Sequence, residues 1–364
     1  MSTGPRLSEF ATPLVTIDSQ ATEHNVRLMT SWISERGLQI APHGKTTMAP
    51  QLWQQLLDAG AWGITLATGW QVQLARSFGI RRIILANELV DPVALHWLGR
   101  ELADPDFGFL CWVDSIEAVE LMRSGLAGAA RPVDVAIELG AAGGRTGARS
   151  AQTALEVAAA VRAAPELRLA GVAGYEGSYG GDRRDSALLA VQRFLDTMVE
   201  VHDAIQWDER PIVTAGGSAF FDLVAQTLGS LVERATVILR SGAFQLHDEG
   251  FYRAVTPLGD LRPAVHGWAR VLAVPEPGLA ILDGGKRDFP YDLSLPTTSF
   301  GSVGRVNDQH SYVNLDAGVP VVGQVLRLGL SHPCTAFDKW RSIPVIDDAN
   351  ADDPLVVDVV QTYF

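Results

Sequence analysis

The chain has 364 residues, 47% of them apolar, with a formal net charge of −13 and two cysteines. That length allows two domains or one large one with an extension, while an acidity broken by no basic cluster argues against nucleic acid as a partner. Two cysteines make no disulfide framework and point to a reducing cytoplasm, and with no apolar core in the opening MSTGPRLSEFATP and no run of about 18 apolar residues, neither a signal peptide nor a membrane span is expected.

Short apolar runs alternate with helical patterns along the first two thirds of the chain. Strands are predicted at 14–18 (LVTID), 38–44 (LQIAPHG), 62–67 (WGITLA), 82–87 (RIILAN), 108–113 (GFLCWV), 133–139 (VDVAIEL), 167–175 (LRLAGVAGY), 211–216 (PIVTAG) and 235–240 (ATVILR). Amphipathic stretches such as SIEAVELMRSGLAG and TALEVAAAVRAA lie between them. Continuous apolar strands separated by amphipathic helices predict a parallel sheet covered on its outside. The count is one strand more than a (β/α)8 barrel needs. From about residue 258 the pattern changes to apolar runs split by Pro and Gly turns, VHGWARVLAVPEPGLAILDGG and VPVVGQVLRLGLS, without long helices. This predicts a mainly-β domain. If strand 14–18 pairs with that domain, eight strands remain for the barrel. The expected fold is therefore α/β: a TIM-type (β/α)8 barrel over 19–258, and a C-terminal mainly-β domain over 259–364 completed by the N-terminal strand within 1–18. A doubly wound sheet is the alternative.

Three stretches carry chemistry. The first is APHGKTTMAP, which contains Gly44-Lys45-Thr46. It is not a phosphate loop, because the required earlier glycine is Gln39 and Pro42 has no N–H to offer. Lys45 instead falls at the C-terminal end of barrel strand one, where such barrels build their active sites. A partly desolvated lysine there is a nucleophile toward carbonyls; a surface lysine in a βα loop is the alternative. The second is TAGGS, Thr214 to Ser218, at the end of barrel strand seven. Adjacent glycines let backbone N–H groups approach an anion, and these barrels bind phosphate after strands seven and eight. A tight strand-to-helix turn is the plainer reading. A carbonyl-reactive lysine together with a phosphate cup suggests pyridoxal phosphate. The third is LSHPCTAFD, where His332 and Cys334 are separated only by Pro333. In an extended segment they point to one side, and imidazole and thiolate are good Zn²⁺ ligands. Alone, such a pair equally describes a buried cysteine beside a satisfied histidine.

In this order the motifs resemble the fold-type III pyridoxal-phosphate enzymes of the D-serine dehydratase and D-threonine aldolase group, related to the alanine racemase N-terminal barrel. TPLVTID is similar to their opening T-P-x-x-x-x-D, and APHGKTT to their R-P-H-x-K-T, so the resemblance places the cofactor's Schiff base on Lys45. IELGAAGGRTG resembles D-x-G-x-x-R-x-G and implies a cofactor role for Arg145; GYEGS resembles Y-x-G and implies one for Tyr175 near the ring. TAGGS is similar to the T-G-G-G phosphate loop, which gives Thr214, Gly216, Gly217 and Ser218 the phosphate. LRSGAF and DQHSYV resemble further family segments, and SHPC resembles the H-x-C metal pair of the dehydratase branch, implying that His332 and Cys334 hold a divalent metal, Zn²⁺ first, with Mn²⁺ and Mg²⁺ as alternatives. Departures stand at Ala41, Thr47, Phe244 and Glu176, and they bear on the substrate more than on the cofactor.

The plain readings of the remaining residues are core packing for His43, a polar junction loop for His247, Asp248 and Glu249, and a solvated loop for the acidic run 347–353. The expected activity is a lyase of the dehydratase or deaminase type on a β-hydroxy D-amino acid. A retro-aldol cleavage of the same substrates, a racemase, and a non-catalytic pyridoxal-phosphate carrier are the other readings. The resemblance also implies a homodimer.

Overall fold

The computed structural model describes residues 4–364, so the first three residues of the predicted 1–18 segment lie outside the described residues. The chain forms two compact units. One comprises Thr30–Lys45 and Leu56–Gly242; the other comprises the chain up to Met29, Thr46–Gln55 and Ala243–Phe364.

Strand β1 (Leu14–Asp18) belongs to the second unit. The first unit is a barrel of eight parallel strands: β2 (Gln39–Ile40), β3 (Ile64–Leu66), β4 (Arg82–Glu88), β5 (Gly108–Val113), β6 (Val133–Leu139), β7 (Leu167–Gly174), β8 (Ile212–Ala215) and β9 (Thr236–Leu239). Their ladder runs β2-β9-β8-β7-β6-β5-β4-β3. The ring closes between its ends: Trp62 N–H donates to the Ile40 carbonyl at 2.7 Å, Thr65 N–H to Pro42 at 2.9 Å, and Gly44 N–H to Thr65 at 2.8 Å. The interior is packed by Ala41, Ile84, Leu110, Trp112, Ala136, Ala173 and Ile238. Small residues opposite one large indole fill the bore, as a closed barrel of this size requires. Strands β5 and β6 coincide with the predicted runs. The first barrel strand is predicted over 38–44, yet its regular ladder spans two residues, because Pro42 has no N–H. Ala41 and His43 still donate to the Leu239 and Arg240 carbonyls at 2.8 and 3.1 Å.

The second unit is built on β1, β10 (Val265–Glu276), β11 (Leu279–Leu282), β12 (Thr297–Thr298), β13 (Gly301–Val306), β14 (Ser311–Leu315), β15 (Val325–Gly329), β16 (Ser342–Ile346) and β17 (Val356–Gln361). The order is β11-β14-β13-β12-β15-β10-β1-β16-β17, and β10 also pairs with β11, which closes six strands into a ring. The first strand lies outside the parallel barrel, as predicted. It runs antiparallel to β10, with Val15 opposite Gly267, and parallel to β16. Its alternate side chains enter a core of Val15, Ile17, Val265, Phe289, Leu328 and Phe337, all nearly unexposed.

The division between units differs from the predicted boundary near 258. Leu246 sits in the core of the β unit, the Ala264 N–H donates to its carbonyl at 2.6 Å, and Gln245 Nε2 donates to the Leu52 carbonyl at 3.0 Å. The segment Thr46–Gln55 belongs there for the same reason: Ala49 and Leu52 are in that core, and Tyr363 N–H donates to the Met48 carbonyl at 2.9 Å. Among the described residues no helix is long and apolar enough to cross a membrane.

Candidate active site

Lys45 follows β2 in a turn and is half-buried. Two residues before it, His43 has a ring nitrogen, Nδ1, that is buried without a partner. Burial, then the charges of Lys45, Arg240 and Arg145, push the His43 imidazole well below its ordinary range, so it is neutral at physiological pH. The same interactions show that three cations of the barrel unit, Lys45, Arg145 and Arg240, converge on one place.

Arg145 lies in the glycine-rich loop after β6, where Gly143 and Gly147 adopt φ of +70° and +101°. Its guanidinium stands over the Tyr175 ring, 4.8 Å from the centroid. Tyr175 follows β7, and its phenol is pushed up by burial first and by the neighbouring Glu176 carboxylate second. The phenol therefore stays protonated.

The loop after β8 is shaped for close approach. Gly216 has φ of +111°, a conformation for which glycine is suited. A Cβ on Gly217 would lie 2.9 Å from the Tyr175 ring, so nothing larger fits beside it. Ser241 Oγ, presented after β9, hydrogen-bonds the carbonyls of both glycines at 3.1 Å and fixes the loop. With the carbonyls turned that way, the two N–H groups face a common acceptor. Gly216 N–H donates to Oε2 of Glu176 at 3.0 Å and Gly217 N–H to Oε1 at 2.5 Å. A bidentate carboxylate on consecutive amides is the stand-in that tests the cup: this loop holds an oxyanion. Ser218 follows in the turn, half-exposed. Thr214 lies deeper, fully buried in β8; its hydroxyl donates to the Ile238 carbonyl and accepts from Arg240 Nη1, both at 2.8 Å.

Arg240 was not singled out from the sequence, where it is one charge in LRSGAF. It is 3% exposed, donates through Nη2 to the Gly174 carbonyl at 2.7 Å, and stands over the Trp112 indole at 5.2 Å. Burial pulls it down to about 10, so it remains a cation, with Glu176 and Glu138 as its nearest countercharges. Further around the barrel, burial and the Glu138 carboxylate push the Glu88 carboxyl up, so Glu88 takes a proton more readily than an exposed glutamate does.

His332 and Cys334 lie in the β unit. The segment is not extended as predicted. His332 has φ of +59°, Pro333 is helical, and Cys334 opens the short helix Cys334–Phe337. The cause is Asp248, which lies in the polar loop expected there but is fully buried. Its Oδ2 accepts the His332 N–H at 2.8 Å, while Oδ1 takes the N–H groups of Gly250 and Tyr252. The side chains of His332 and Cys334 still meet. A hydrogen bond to the Cys334 sulfur is the largest influence raising the imidazole to about 9, with Asp292 adding to it. Asp292 Oδ2 lies 2.5 Å from His332 Nδ1, and its Oδ1 accepts from Thr335 Oγ1 at 2.8 Å. That contact occupies Nδ1, the way a carboxylate orients a histidine ring. Thr46, the residue that follows Lys45 in the chain, has its hydroxyl 3.0 Å from Cys334 Sγ. Among the described residues no group of three or more His, Cys, Asp and Glu side chains could hold a metal ion. His332 and Cys334 thus bring together one imidazole and one thiol, side chains of the kinds that suit zinc.

This arrangement agrees with two family models. That for the alanine racemase N-terminal domain matches residues 17–229, more than half of the chain, and that for a putative serine dehydratase domain matches residues 264–346. The chain belongs to the alanine racemase N-terminal domain family. With its dehydratase-like second domain it is a member of the fold-type III pyridoxal-phosphate group. It is similar to a D-threonine aldolase from Arthrobacter sp., 27% identical over 363 residues, covering 96% of this chain and 93% of that one. The solved D-threonine aldolase of Filomicrobium marinum superposes with a TM-score of 0.87 at 21% identity, covering 100% and 97% of the two chains. D-threo-3-hydroxyaspartate dehydratase from Delftia sp. HT23 gives 0.80 at 19% identity, covering 98% and 99%. A dehydratase of that name has also been solved as a cysteine-to-alanine variant in a metal-free form. At these identities the solved structures establish the fold: a parallel eight-stranded barrel with an antiparallel β domain.

Proposed function

We propose that this family member is a pyridoxal-phosphate- and metal-dependent ammonia-lyase that converts a β-hydroxy D-amino acid, such as D-serine or D-threonine, to a 2-keto acid and ammonia. The observation that carries the reading is Cys334, whose Sγ lies 3.0 Å from the hydroxyl of Thr46, the residue that follows Lys45 in the chain.

The residues fit the cofactor. Gly216, Gly217 and Ser218 would hold its phosphate in the cup that now holds a carboxylate, with Thr214 beneath them fixing Arg240. Arg145 and Tyr175 would flank the ring as a stacked pair. Pyridoxal phosphate, when bound, supplies an electron sink for the pair left at the substrate Cα. Lys45 Nζ would anchor the cofactor and take the Cα proton. His43, kept neutral, adds no charge beside that amine. His332 Nε2 and Cys334 Sγ would hold a divalent ion, Zn²⁺ first and Mn²⁺ or Mg²⁺ after it. Such an ion serves as a Lewis acid toward the β-hydroxyl, worth several kcal/mol for so poor a leaving group. Asp292 would keep the imidazole in the ligating tautomer.

Retro-aldol cleavage of the same substrates is the second reading, favoured by the likeness to the D-threonine aldolase. It needs a base for the β-hydroxyl proton and breaks Cα–Cβ rather than Cβ–O. The deciding experiment incubates the purified holoenzyme with D-serine, D-threonine and D-3-hydroxyaspartate, with and without chelator. Ammonia and a keto acid without glycine support the lyase. Glycine and an aldehyde establish the aldolase, and neither, from protein that binds the cofactor, leaves the carrier. A cytoplasmic homodimer is part of the same proposal, and light scattering of the eluted protein tests the dimer.

A further inference from the structure

The cup after β8 already contains an anion, and the anion belongs to the chain. Glu176 opens the single turn Glu176–Tyr179 that follows β7, and its side chain is completely buried. Both of its oxygens are spent on the Gly216 and Gly217 amides. Each amide has one hydrogen, so it serves Glu176 or a ligand oxygen but not both in good geometry. Two anions facing the same pair of amides would also repel one another at close range. The loop itself does not depend on Glu176, because Ser241 braces both glycine carbonyls from the other side. The turn ends at Gly180 and Gly181, and the space around Gly181 is open, whereas Gly177 and Gly180 pack closely on Tyr175 and Ala187. Without a ligand, vacating the cup would leave two amides to be satisfied by water alone. With Glu176 in place they are paired, and Arg240 offsets the buried charge.

We propose that Glu176 is a built-in occupant of the phosphate cup: it pairs the Gly216 and Gly217 amides in the cofactor-free protein and is displaced when the phosphate of pyridoxal phosphate enters. It thereby sets the affinity for the cofactor. A protein with this device holds a preformed cup without exposing it, and pays for that by binding phosphate less tightly than the bare loop would. The inference rests on the assignment of the phosphate to Gly216–Ser218, and the test separates the two.

Apoprotein is prepared from wild type, Glu176→Gln, Glu176→Ala and Gly217→Val. Binding of pyridoxal phosphate, and of pyridoxal, which lacks the phosphate, is followed by quenching of tryptophan fluorescence. Melting temperatures are taken with and without cofactor. Losing a charge-assisted competitor should tighten pyridoxal phosphate binding about tenfold in both Glu176 variants and leave pyridoxal binding unchanged. Glu176→Ala should melt below wild type as apoprotein and with it as holoprotein. Should the alanine variant fail to fold, the isosteric glutamine variant decides. Wild-type or weaker affinity for pyridoxal phosphate in the glutamine variant overturns the displacement. If Gly217→Val nonetheless binds poorly, the cup assignment survives that failure. If Gly217→Val binds like wild type, the phosphate lies elsewhere and both readings fall.

Discussion

Replacing Arg240 with methionine removes a cation from the centre of the barrel while keeping most of the side chain's bulk. The guanidinium donates to the Gly174 carbonyl at 2.7 Å and to Thr214 Oγ1 at 2.8 Å, in a site only 3% exposed. Hydrogen bonds made by a charged group contribute about 1.5–3 kcal/mol each. Methionine loses both and removes a buried cation that Glu176 and Glu138 stabilise. Breaking a buried charged network from one side costs about 3–5 kcal/mol. For a unit of this size that lowers the melting temperature by roughly 6–20 °C. Lysine at the same position keeps the charge but has no planar fork to span two acceptors, so it should lose about half as much. Calorimetry of the apoprotein measures this, and following the barrel's transition avoids treating two units as one cooperative system. If the methionine variant melts within 2 °C of wild type, or the lysine variant is the less stable of the two, Arg240 is not the electrostatic centre described here.

Other perturbations reach the remaining parts. Lys45→Ala should abolish the borohydride-reducible link to pyridoxal phosphate, read by mass spectrometry; a reduced adduct on another lysine would displace the anchor. Cys334→Ala, like chelated wild type, should keep cofactor colour and exchange of the substrate Cα–H yet lose ammonia release by at least about a hundredfold, from the several kcal/mol a Lewis acid contributes; full activity in demonstrably metal-free protein would return the pair to simple packing. His266 is held at about 3, mainly by burial and then by Arg327. The unfolded chain takes up that proton below about 6.5 while the folded chain does not, so stability is constant above 6.5 and falls as pH drops toward 3. At pH 5 wild type should have lost about 2 kcal/mol more than His266→Gln relative to pH 7.5, measured by denaturant unfolding; equal losses would contradict the assignment.

The barrel was legible because a parallel strand covered on both faces needs a largely apolar run: GFLCWV is one from end to end, and VDVAIEL is one interrupted only by Asp134 and Glu138. The position of Lys45 just past the first barrel strand and the glycine turn after β8 were legible because each depends on a few consecutive residues. What escaped depends on partners far apart in sequence. Asp292 meets His332 across forty residues, Glu176 meets Gly216 across forty, and Arg240 meets Gly174 across sixty-six. No local period marks such a charge: Glu176 stands out in the sequence only as a departure beside Tyr175, and Asp292 and Arg240 do not stand out at all. The H-x-C pair is an instructive middle case. Its two side chains do converge, but through a left-handed histidine held by Asp248, not through the extended backbone that spacing alone suggests.

The barrel's seam lies on the strand that carries Lys45. There the regular ladder is two residues long, and closure depends on three backbone hydrogen bonds around Pro42, Gly44 and Thr65. Sheets open first where the ladder is thinnest. The amides of Gly44 and Thr65 should therefore trade their protons with heavy water well before those of β5 and β6, which are laddered on both sides. Tethering the adjacent amine to a ligand fastens the loose edge, so the exchange rate of these two amides becomes a gauge of occupancy that requires neither colour nor substrate.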